Sequence, residues 1–156
     1  GFINRTIFNE DMIYAAKAIR AGYAVAYAAK AHVIHSHNYS AKEQFHRNFD
    51  IGVSHADYPE VFQAYPAESE GIKMVKQTAD YLKRTGKRNL IPVLVVRSGC
   101  KFLGYKLGVH YKRLPKKMII SLSMNKDYWR LHSLKKEVSG IDATKGYGKT
   151  EAEMKK

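Results

Sequence analysis

The spacing of apolar residues changes period twice along this chain. Met12, Ala15, Ala16 and Ile19 recur at helical spacing and predict a helix over residues 10–21, with those four on its buried face. Asn9 stands where an N-cap would accept a hydrogen bond from a first-turn amide. Glu10 and Asp11 follow at the positive end of the helix dipole. Gly22 falls where a left-handed C-cap would close the helix. The period then shortens. Residues 23–28 predict a strand, and residues 30–37 a second extended piece that carries His32, His35 and His37.

Beyond residue 39 the helical period returns. Ser40 and Glu43 have the spacing of a capping box, which starts a helix over 41–56 with Phe45, Phe49 and Val53 as its apolar stripe. Asp57 to Glu60 restart a short helix around Pro59. Pro66 opens another, lined by Ile72, Val75, Ala79 and Leu82 and ended by Gly86. Residues 90–111 form a further helix, with Pro92 tolerated in its first turn. Gly99, Gly104 and Gly108 each lower its intrinsic stability, and their spacing allows close packing on another helix. Pro115 starts a last short helix that runs toward Trp129. The expected fold is thus an α/β remnant, an acidic-pair helix with short strands, followed by a mainly α-helical region. Three parts follow from it: residues 1–39, residues 40–135, and a mobile tail over 136–156 rich in Gly, Lys, Thr and Glu.

Charge adds a second pattern. The 156 residues carry a formal net charge of +13, which implies an anionic partner. Between Leu90 and Lys126 the charged residues are Arg97, Lys101, Lys106, Lys112, Arg113, Lys116, Lys117 and Lys126, with no Asp or Glu. Phe102, Leu103, Tyr105, Leu107, Val109 and Tyr111 interleave with them, a combination suited to an anionic membrane interface. Zinc-finger spacing, an RNP-type aromatic motif and a basic recognition helix are absent, which disfavours nucleic acid. The longest apolar run, Leu90 to Val96, is far short of the ~20 residues of a membrane-spanning helix. The single cysteine, Cys100, excludes an internal disulfide and fits a reducing compartment. The chain opens on Gly1 and Phe2 with neither a charged lead nor an initiator Met, as expected of a chain cut from a longer one.

Two constellations carry candidate chemistry. Glu10 and Asp11 could supply a general base for an acceptor hydroxyl, or could simply complement the helix dipole. His35 and His37 alternate on an extended segment and so share a face. With a carboxylate nearby they could hold a divalent metal; a plain surface histidine pair is the competing reading.

Taken in order, these signals resemble the second half of a family 2 glycosyltransferase, an inverting enzyme of the A-type fold. The resemblance rests on Gly1-Phe2, then Phe8-Asn9-Glu10-Asp11 with Lys17, Arg20, Ala21, Gly22 and Tyr23, then Ala31, Val33 and His35. The aromatic helix after the capping box and the segment Ser123 to Trp129 are similar to bacterial rhamnosyltransferases of surface-polysaccharide synthesis. The resemblance covers residues 1 to about 131 and implies several roles. Asp11 matches the catalytic base, with Glu10 beside it. His35 matches the histidine that approaches the metal and the diphosphate. Gly1 and Phe2 match the acceptor-side turn, and His37 and Lys17 are auxiliary positions.

The family's DxD motif, and the doubly wound half that carries it, are missing from this sequence. The chain alone is therefore expected to be inactive. For an intact enzyme the resemblance implies Mg²⁺ or Mn²⁺, a nucleotide-sugar donor such as dTDP-rhamnose, and a lipid-linked or glycan acceptor. It also implies a cytoplasmic, peripheral position at the inner face of the cell membrane, held there through residues 90–126, and no nucleic-acid partner. The alternative is a non-enzymatic basic helical module that binds anionic membrane or nucleic acid.

Overall fold

The computed structural model describes residues 6–35, 37–63 and 67–131. It divides the chain into one unit spanning Gly1–Met124 and a second spanning Asn125–Lys156. The Gly1-Phe2 turn and the 136–156 tail anticipated from the sequence lie outside the described residues.

In the first unit the described residues form α1 (Glu10–Arg20), α2 (Ala41–Asp57), α3 (Pro59–Phe62), α4 (Ala67–Arg84), α5 (Ile91–Val109) and α6 (Lys116–Leu122), with short 3-10 turns at Arg88–Leu90 and Tyr111–Arg113. Strands are absent among them, which corrects the α/β expectation. Residues 23–35 leave α1 as an exposed, non-helical run in which Tyr27, Val33 and Ile34 are almost fully open to solvent. A β-propensity run becomes a strand only when a neighbour completes its ladder. Here the one backbone bond inside the run is a local turn, from the amide of Ala31 to the carbonyl of Ala28.

Helix punctuation follows local chemistry closely. Ser40 Oγ accepts from the amide of Glu43 while the Glu43 carboxylate accepts from the amide of Ser40, completing the capping box of α2. The Ser40 hydroxyl also donates to that carboxylate at 2.7 Å, and this bond first, with that of the Ser40 amide second, holds the exposed Glu43 carboxyl below its ordinary pKa. α1 closes on Gly22 at φ 86, and α4 closes on Gly86 at φ 73. In both, paired amides reach back to the last turn: Tyr23 to Ala18 and Gly22 to Ile19, then Lys87 to Leu82 and Gly86 to Lys83.

The start of α1 differs from expectation. Asn9 lies in the left-handed region, φ 58 and ψ 31, and its side chain makes no capping bond. Asn is one of the few residues that accepts this conformation, so its backbone rather than its amide serves the turn. The buried face of α1 is also rotated from the expected one. Ile13 is fully buried, whereas Met12 and Ile19 are more than half exposed. Apolar residues at 12–16, 18 and 19 nearly encircle this helix, so periodicity alone fits more than one face.

The centre of the fold is the parallel pairing of α2 with α5, in which Phe45 meets Gly104 and Phe49 meets Gly108, and it is made by glycines. A Cβ at Gly104 would fall on the carbonyl oxygen of Phe45, and one at Gly108 on that of Phe49. A Cβ at Gly52 would collide with the Tyr105 carbonyl and lie 2.8 Å from the Val109 amide nitrogen. The helices therefore touch main chain to main chain, closer than any side chain permits. Gly99 takes no part, with open space where its Cβ would be.

Polar side chains of α2 then fasten the neighbouring segments. His46 Nδ1 lies 2.7 Å from the Leu122 carbonyl, and buried Asp50 accepts from the amide of Met124 at 2.9 Å. Asp57 accepts from the Tyr111 hydroxyl at 2.7 Å and pairs with Lys112 at 3.2 Å. In the second unit, residues 126–131 are helical, and Asn125 caps this turn by accepting from the amide of Tyr128.

His55 gives the fold a pH dependence. Its ring stacks on Phe62 with centroids 4.0 Å apart, and Nδ1 lies 3.2 Å from the Tyr105 hydroxyl. Burial lowers its pKa below the ordinary 6.5. The folded state therefore prefers the neutral ring and the unfolded state binds the proton more tightly. This contribution to stability is complete above pH 6.5 and is lost as pH falls below it toward the folded value. Urea midpoints measured on either side of that pH should fall on acidification, and His55→Gln should flatten this part of the dependence. An unchanged slope in His55→Gln would assign it elsewhere.

Candidate functional site

Asp11 projects from the first turn of α1 and is exposed. Its Oδ1 accepts from the amide of Met12 at 2.8 Å, which fixes the carboxylate on the helix entrance. Glu10 beside it is exposed as well. Lys17 lies two turns further along α1, in its last turn, also exposed. The entrance itself is held from below. The Phe8 carbonyl accepts from Ser54 Oγ at 2.7 Å and also from the Thr6 hydroxyl, and Ser54 is buried on α2.

The histidine segment is built from ring contacts. His35 meets His37 edge to face with centroids 4.0 Å apart, and His37 stacks on Tyr39 at 4.8 Å with an interplanar angle of 14°. Although exposed, His37 has a lowered pKa: the desolvation it undergoes comes first, then the positive charges of His35 and Arg47. It is thus biased toward the neutral imidazole, the form that accepts a proton or ligates a metal.

No hydrogen bond or ion pair joins Asp11 to His35. The two segments meet instead through Arg47 of α2. Its guanidinium carbon lies 4.5 Å from the centroid of the Phe8 ring and 5.4 Å from that of Tyr39, and Nη1 is 3.5 Å from the Tyr39 hydroxyl. Arg47 escaped the sequence reading because it lies on the side of α2 opposite the apolar stripe of Phe45, Phe49 and Val53, where a cation passes for solvated surface. The available signal was an Arg seven residues before Ser54, on the same face of α2, and eight residues after an aromatic, Tyr39.

A divalent metal needs more ligands than this segment offers. Among the described residues, no three His, Cys, Asp or Glu side chains converge. His35 and His37 would make at most part of a coordination shell, and no step is assigned to a metal on the strength of these residues. On the basic side, α5 leaves Val93, Val95, Val96, Phe102 and Leu103 substantially exposed, with Arg97 and Lys101 on the same helix. No described helix is long and apolar enough to cross a membrane.

Two relatives match this chain over 130 residues. It is 45% identical to the O-antigen chain rhamnosyltransferase RfbN of Salmonella typhimurium and 43% identical to the O-antigen chain rhamnosyltransferase WbaN of Salmonella anatum. Each match covers 83% of this chain and 41% of the relative. The chain is therefore homologous to bacterial O-antigen rhamnosyltransferases over that stretch, and it spans about two-fifths of their length. No family model matches the chain, and no solved structure matches it.

Proposed function

We propose that this chain is the acceptor-side, C-terminal part of an inverting glycosyltransferase that transfers rhamnose from a nucleotide-diphosphate donor, dTDP-rhamnose, to a lipid-linked or glycan acceptor. The observation that carries the reading is the homology to two O-antigen chain rhamnosyltransferases across 130 residues. Asp11 supports it by standing exposed and oriented at the entrance of α1. In this reading Asp11 takes the proton of the acceptor hydroxyl as its oxygen attacks the anomeric carbon. The attack comes from the face opposite the departing nucleoside diphosphate, so one displacement inverts the centre. Glu10 adds negative charge beside the base. The described residues contain no strand, so the sheet that binds a nucleotide in such enzymes would be formed by other residues.

The test is transfer of labelled rhamnose from dTDP-rhamnose to a membrane-extracted lipid-linked acceptor by the complete gene product, with the anomeric configuration of the product read by NMR. Transfer with retention, or none, would defeat the reading.

In this proposal the exposed apolar and basic residues of α5 would meet the anionic inner face of the cell membrane, where a lipid-linked acceptor would lie. The protein is expected to sediment with vesicles that contain anionic lipid and to be released by salt, since surface charge is screened within about 10 Å at 0.1 M ionic strength. Equal sedimentation with neutral vesicles would remove the electrostatic part of this contact.

A further inference from the structure

We propose that Arg47 is a positioning residue that holds the histidine segment in fixed register with the entrance of the acidic helix. The proposal rests on the transferase reading for its catalytic consequence, though not for its geometry.

Three observations carry it. First, α2 grips the same lead-in residue at two points: Ser54 hydrogen-bonds the Phe8 carbonyl, and the Arg47 guanidinium lies over the Phe8 ring. Positions 47 and 54 are two helical turns apart, so both face the same side of α2. Phe8 is thereby fixed in backbone and side chain immediately before Glu10 and Asp11. Second, the same guanidinium reaches Tyr39, which stacks on His37, which in turn contacts His35. Third, residues 23–35 have almost no backbone support of their own, so these ring contacts carry much of the placement of His35. Among the described residues no carboxylate pairs with Arg47. Its interactions are with two aromatic rings and a phenol, as suits a planar cation used for stacking. Lysine carries the same charge but not the plane.

The experiment compares Arg47→Met, Arg47→Lys and Tyr39→Leu in the complete gene product by two readouts. One is the ring-proton shifts of His35 and His37 in histidine-labelled protein, recorded above the histidine titration range. The other is kcat and KM for rhamnose transfer. Arg47→Met should move both histidine resonances toward those of free imidazole. It should also lower kcat by about 10- to 100-fold while leaving KM within a few-fold, because misplacing a catalytic element by about 1 Å can cost 10²-fold. Arg47→Lys should fall between the two. Tyr39→Leu should reproduce both effects, and the double variant Arg47→Met/Tyr39→Leu should be no worse than either single.

Unchanged resonances in Arg47→Met overturn the proposal. So does a raised KM with intact kcat, which would make Arg47 a ligand-binding group. If Arg47→Met does not fold, Tyr39→Leu is read on the same two signals, and wild-type values in it overturn the proposal. A wild-type protein that transfers no rhamnose fails the transferase reading instead, and the resonances alone then decide the clamp.

Discussion

Asp11→Asn is expected to lower rhamnose transfer by about 10²–10⁴-fold, the range general acid–base catalysis contributes. The substitution is nearly isosteric. Its side-chain oxygen can still accept from the amide of Met12, as Oδ1 of Asp11 does. What disappears is the capacity to take a proton from the acceptor hydroxyl. KM for donor and acceptor should therefore change little and kcat should carry the loss, the pattern of an interaction made in the transition state. Glu10→Gln serves as the neighbouring control, because it removes the same charge one residue away and should cost far less. Initial rates with labelled donor check both, after circular dichroism has established that the helices are intact. Near-wild-type turnover in Asp11→Asn would sink the assignment, and a large loss confined to Glu10→Gln would transfer it to that residue.

The second large effect concerns stability. Gly108→Ala adds one methyl group, and intrinsic propensity alone would favour it by about 1 kcal/mol. At this position the methyl meets backbone: it falls on the Phe49 carbonyl oxygen, 2.9 Å from its carbon and 3.0 Å from the Gly52 Cα. Backbone cannot rotate away as a side-chain tip can. The helices must separate, and the contacts along α2 and α5 weaken together. A net loss of about 2–3 kcal/mol is expected, the upper part of the range for overpacked cores. Gly99→Ala and Gly71→Ala are the opposite case on the same grounds. Both glycines are helical, and a Cβ at either meets nothing within 4 Å. Each should gain about 0.5–1 kcal/mol from propensity alone. Urea unfolding of the three variants separates the two effects by sign. A Gly108→Ala protein as stable as wild type would mean that α2 and α5 do not meet main chain to main chain.

What could be read in advance was chemistry that acts within a few residues. The capping box at Ser40 and Glu43, and the closing glycines at 22 and 86, depend only on near neighbours, and each performs the expected role. The sequence presents Gly99, Gly104 and Gly108 together as close-packing positions; Gly104 and Gly108 are, Gly99 meets nothing, and their partner Gly52 is not foreseen, since nothing local marks which helix they would meet. The features that depend on distant partners were misread. Residues 23–28 have strand-forming composition and no strand to pair with among the described residues. The face of α1 was chosen by Ile13 because the rest of the fold lies on that side, and the sequence around it fits several faces equally. Asn9 suits both an N-cap and a left-handed turn, and the choice is made by how Phe8 is held on α2. The candidate site divides the same way: its acids and histidines are visible in order, whereas Arg47 acquires its role only when Phe8 and Tyr39 arrive on either side of it.

The glycine contact between α2 and α5 also bears on how such a protein can diverge. Where two helices meet through side chains, every exchange of Leu for Ile or Met shifts their spacing by a fraction of an ångström, and whatever stands on them shifts as well. Here the spacing is set by the carbonyl oxygens of Phe45, Phe49 and Tyr105 against the Cα groups of Gly104, Gly108 and Gly52, and these backbone atoms are the same whatever the surrounding side chains are. Phe45, Leu107 or Val53 could drift in size and shape while α2 kept its distance from α5. Arg47 and Ser54 would keep their places along with it. Three positions confined to the smallest residue would thus leave most of the helical core free to vary without moving the groups that hold the entrance of α1.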